Sequence, residues 1–178
     1  NETMIEGIHI LSTAIGGNAS TAKAIVAKGT INKVLTYALS EEGIMTNEKS
    51  TMKCLDILER VSEDQGLDKV KASEYILEVM QLNSDNAVLV EKASGILGKY
   101  VSKADFSAQL ADSQNKLVEL ASGKSSERKK IAAAAKAVSS IATMSAAANS
   151  LDSETSQGAQ KLLETASTVL TNSAGKGK

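Results

Sequence analysis

Residues 9 to 35 contain His9-Ile10-Leu11-Ser12-Thr13-Ala14-Ile15-Gly16-Gly17-Asn18 and, from Lys23, Lys23-Ala24-Ile25-Val26-Ala27-Lys28-Gly29-Thr30-Ile31-Asn32-Lys33-Val34-Leu35. Apolar residues recur at three and four along this stretch, and each run closes on glycine, the residue that accepts the positive φ of a helix C-terminus. The spacing predicts a helix over about 3–15, a short helix over about 20–27 and a third over about 30–39, with Ile31, Val34, Leu35, Ala38 and Leu39 on one stripe.

The same rhythm continues to the end of the chain. A polar loop is expected over 40–46, then a helix from an Asn47 cap to about Ser62 with Leu55, Leu58 and Val61 inward. A helix over about 67–82 follows, with Val70, Ser73, Ile76, Leu77 and Met80 inward, and then one from an Asp85 cap to about Val101. Helices over about 104–121, 127–145 and 153–171 complete the chain, and 172–178 reads as a disordered tail. Breaks at Gly29, Gly66, Asp112-Ser113 and Gly158 each precede an amphipathic helix, and Gly29, Gly66, Ser113 and Gly158 are 37, 47 and 45 residues apart. Repeats of that length belong to stacked two- or three-helix units.

Composition agrees with an all-α fold. Aromatic residues make up 2% of the chain and proline is absent, whereas β proteins lean on aromatic strands and on Pro and Gly turns. Twenty basic against 21 acidic residues leave a formal charge of -1, which provides no bulk field toward phosphate backbones or anionic lipid. The lone Cys54 excludes an internal disulfide. No run approaches 18 consecutive apolar residues, so no membrane-spanning helix is expected. A chain that starts at Asn1 without a leader pattern reads as an excerpt of a longer one.

Residues 8–35 resemble the armadillo repeat, in which a long third helix ends in a Gly-Asn turn, a short helix leads to an obligatory glycine and a second helix carries paired leucines. Ala108-Gln109-Leu110-Ala111-Asp112-Ser113 through Leu117-Val118-Glu119-Leu120 resembles the same passage, with Ser113 where the family has glycine. The resemblance implies a right-handed α-solenoid superhelix of about four irregular armadillo-like repeats over 1–171. It further implies a non-catalytic interaction scaffold in the cytoplasm, binding an extended peptide or a partner subunit on its concave surface. The alternative is a structural module of a cytoskeletal or ciliary assembly, or an extracellular helical spacer.

In peptide-binding armadillo proteins such as the importin alpha family, each third helix presents a Trp and, four residues later, an Asn. Aligned on their inward leucines, the corresponding helices here place His9, Asp56, Gly95 and Lys136 at the Trp-like positions and Thr13, Arg60, Lys99 and Ser140 at the Asn-like ones. The family's array is absent. Arg60 and Lys99 instead put two cations on adjacent repeats, suited to an acidic or phosphorylated peptide; the alternative is that they pair with helix acids such as Asp56 and Glu59.

No other pattern carries chemistry. Ser122-Gly123-Lys124-Ser125-Ser126 ends like a phosphate-binding loop, but Val118 stands where that motif needs its first glycine. His9 is the only histidine, and neither it nor Cys54 has the partners that metal binding or nucleophilic catalysis requires. No catalytic residue, metal or cofactor is therefore expected. Asn1-Glu2-Thr3 and Asn18-Ala19-Ser20 match the N-glycosylation pattern, and Glu127-Arg128-Lys129-Lys130 reads as a charged helix start.

Overall fold

A computed structural model describes residues 1–122 and 127–175. Among the described residues it holds ten helices and no strand, and these fall into two compact units, Asn1–Val101 and Ser102–Lys178.

The first unit comprises α1 (Glu2–Gly17), α2 (Ala19–Ala27), α3 (Thr30–Ser40), α4 (Glu42–Met45), α5 (Glu48–Val61), α6 (Lys69–Leu82) and α7 (Ala87–Leu97). Short polar side chains set the starts. Asn18 Oδ1 accepts from the Ser20 and Thr21 amides, Asn47 from Ser50, Asp68 from Lys71 and Asn86 from Leu89. Each cap supplies an acceptor to amides that lack a partner within the helix. Gly29 and Gly66, at φ 72° and 95°, make the two turns that side-chain-bearing residues resist.

Packing arranges these helices in two rows. α5 lies between α1 and α7, while α6 packs against α3 and α7. The core contains Ile8, Leu35, Leu55, Leu58, Ile76 and Leu97, each with at most 1% exposure. Ile8 and Ile15 carry the buried stripe of α1, and Leu11 between them is half-buried. Val70 is 71% exposed, in the first turn of α6 ahead of Ala72, where the packed stripe begins. The expected loop over 40–46 contains α4, which buries Ile44 and Met45. Its last carbonyls are occupied: Ser50 donates to Ile44, Thr51 to Met45, and Asn83 Nδ2 also to Met45.

Polar links between neighbouring helices of the same row fall at one range of sequence separation. Asn32 donates to the Gly66 carbonyl and accepts from the Asp68 amide, both at 2.8 Å. Lys71 donates to Thr36 at 2.6 Å, Tyr100 to the Leu58 carbonyl, and Lys92 pairs with Asp56. The separations run from 34 residues for Asn32 and Gly66 to 44 for Gly16 and Arg60, the length of one helical repeat.

In the second unit α8 (Lys103–Ser122), α9 (Glu127–Ala148) and α10 (Ser153–Gly175) each pack on the other two. Ser102 and Asp105 form a capping pair at the start of α8, and Asp152 Oδ1 accepts from the Thr155 amide at 2.7 Å. That amide, with lesser help from Lys103 at 3.1 Å, holds the Asp152 carboxyl below its usual range. Phe106, Leu110, Leu117 and Ile141 are buried together with a series of alanines, from Ala134 on α9 to Ala166 on α10.

Two expected breaks are absent here. α8 runs unbroken through Asp112-Ser113 and α10 through Gly158, since serine is tolerated in a helix and an interior glycine costs only about 1 kcal/mol. α10 also continues past Thr171 to Gly175, while 176–178 of the expected tail lie outside the described residues. Arg128–Ala148, with a mean hydropathy of 1.4, is long and apolar enough to cross a membrane by length and composition. Counting only consecutive apolar residues misses it, because serines, Thr143 and Lys136 interrupt its alanines.

Candidate partner-binding surfaces

The sequence-predicted site residues divide between the two units. In the first, His9 is half-buried and its carbonyl accepts from the Thr13 hydroxyl. Asp56 is engaged by Lys92 from α7. Arg60 donates to the Gly16 carbonyl at 3.4 Å, a guanidinium placed against the last turn of α1, where a cation is favoured. Gly95 is exposed, and Lys99 stands exposed in the turn after α7, not on the helix. Arg60 therefore reaches a backbone carbonyl rather than Asp56 or Glu59, and the acid expected as its neighbour has a lysine instead.

Lys136 and Ser140 are brought together in the second unit. Both line a cleft of about 710 Å³ between α8 and α9, whose walls also include Ala108, Ser113 and Leu120 from α8 and Ala133, Ala137 and Met144 from α9. The Ser113 hydroxyl lies 3.6 Å from Met144 Sδ across the cleft. Asp112 and Lys116 pair along α8 at 2.9 Å. Glu119 and Lys136, also at the cleft, make no ion pair among the described residues. No periodicity in the sequence reports this opening, because it depends on how far apart two helices stand.

The buried polar groups are of a different kind. Cys54 is buried on α5, and burial pushes its thiol up to about 11 against an ordinary 9.0, the Tyr75 hydroxyl offsetting a little of that rise. Burial, and then Cys54 beside it, likewise hold the Tyr75 hydroxyl well above its ordinary value. That hydroxyl approaches Cys54 and Thr51 without hydrogen-bond geometry. A thiol raised by two pH units loses about a hundredfold in thiolate near pH 8, and the thiolate is the reactive form. Ellman's reagent at pH 8 should accordingly leave the native chain almost unlabelled and react with one thiol at once in guanidinium; rapid native labelling would place Cys54 at the surface.

Among the described residues no three His, Cys, Asp or Glu side chains converge as metal ligands. Gly123 to Ser126 of the phosphate-loop fragment lie outside the described residues. Arg128 and Lys129 are exposed at the start of α9, and exposed Asn18 is engaged as the α2 cap. Compared with protein-family models, with curated proteins and with solved structures, the chain matches none.

Proposed function

We propose that this chain is a non-catalytic protein-interaction scaffold, an armadillo-like stack of helical repeats that holds a partner against exposed helix faces. The observation that carries the reading is the open cleft between α8 and α9, a long channel between rigid walls that contains Lys136 and Ser140. Surfaces of that kind suit a macromolecular partner better than bond chemistry, which needs a water-excluding pocket and converging titratable groups. The recurrence of polar links 34 to 44 residues apart in the first unit supports the repeat character. Its α1, α5 and α7 row offers a second face, on which Arg60 and Lys99 suit an acidic or phosphorylated extended peptide.

Selection from a random peptide display library against the full chain tests the reading. The expected result is an enriched family of sequences that bind with micromolar Kd and are unaffected by an unrelated helical protein as competitor. Enriched ligands that weaken with rising salt and fail on Arg60→Ala plus Lys99→Ala belong to the α1, α5 and α7 face. A selection that enriches nothing above the unrelated protein overturns the scaffold.

A further inference from the structure

Resting on that scaffold reading, we infer that the α8–α9 cleft seats an amphipathic α-helix of a partner protein, which presents a carboxylate to Lys136 and a cation to Glu119 and completes a four-helix bundle. The lining residues run from Ala108 to Leu120 on one wall and from Ala133 to Met144 on the other. At the helical rise those walls are about 17 Å long. The cleft's 710 Å³, spread over that length, gives a cross-section of about 40 Å², half that of a helix about 10 Å across with its side chains. A helix laid in the cleft would bury one stripe and leave the other face in water, as the fourth member of a bundle does.

An extended peptide fits this cleft less well. Both walls are helices whose backbone groups are already bonded within the helix, so a strand lying there would find few partners for its own amides and carbonyls. Of the polar side chains along the cleft, Asp112 pairs with Lys116 and Ser113 is engaged with Met144. A helix satisfies its backbone internally and needs only side-chain complementarity. Ala133 and Ala137 permit close approach of its axis. The rim supplies the polarity: Asp112 and Lys116 satisfy one another, which leaves Glu119 on one wall and Lys136 on the other to read the partner's charges.

The test is a fluorescein-labelled, 18-residue designed helix with a leucine and alanine stripe, one Glu placed to meet Lys136 and one Lys placed to meet Glu119, titrated into the full chain by anisotropy. It should bind with micromolar Kd, while a scrambled peptide of the same composition should not. Ala137→Trp, which fills the cleft, should weaken binding by about tenfold or more. Lys136→Glu, an exposed change that spares the fold, should weaken it about two- to fivefold, and exchanging the probe's Glu for Lys should restore it. Equal binding of designed and scrambled peptides, indifference to both variants, or a dimer of the chain that competes with the probe overturns the inference. If the designed helix fails while display selection yields extended ligands, the helix is lost and the scaffold stands; if both fail, both fall.

Discussion

Leu58→Ala should lower the unfolding free energy by about 2–5 kcal/mol, toward the upper end of the range for a buried leucine. Leu58 is fully buried on α5, the helix between α1 and α7. Truncation removes the transfer free energy of the lost methyl groups and leaves a cavity whose cost depends on how far the walls can close. Here they are pinned: the Leu58 carbonyl accepts the Tyr100 hydroxyl, and Arg60, two residues further along α5, is tied to Gly16. Urea denaturation should show the midpoint falling with an unchanged slope. An unmoved midpoint would mean that α5 turns a different face inward.

Phe106→Ala should cost about 3–5 kcal/mol in the second unit. Phe106 is the chain's only phenylalanine, fully buried, in a core whose other members include Ala134, Ala147, Ala148, Ala159 and Ala166. Alanine has no side-chain rotamers with which to fill a void, so the cavity left by the ring should persist. Native-state hydrogen exchange is the suitable measurement, with the amides of α8 and α10 opening at lower free energy in the variant. Phe106→Leu, which retains most of the volume, should recover much of the loss. Exchange in α8 indifferent to both substitutions would remove Phe106 from the core.

The elements legible in the sequence are those with several turns and a cap. Asn47 announces α5, and the Gly29 and Gly66 breaks occur as expected, because a positive φ is a strong local demand. α4 was not legible: four residues cannot display a 3.6-residue period, and Ile44 and Met45 are buried through Ser50, Thr51 and Asn83, which lie outside the segment. Ser113 and Gly158 show the reverse error, since residues that often interrupt helices are carried through when packing on both sides favours continuation. At the surfaces, alignment on inward leucines drew attention to Lys136 and Ser140, which do share a cleft. It could not foresee that Asp56 would be taken by Lys92, a partner 36 residues away, or that α7 would end before Lys99.

The narrow span of the first unit's polar links bears on how fast the chain folds. Closing a loop of 34 residues or one of 44 differs in entropic cost by only about 0.2 kcal/mol, because that cost grows with the logarithm of length. No single closure is then a bottleneck, and none needs the chain ends to meet. Folding of the unit need not then wait on one late closure of much longer range. Refolding of Asn1–Val101 should therefore resemble that of a helical bundle, complete in about a millisecond or less, with no prolyl isomerisation phase in a chain that contains no proline.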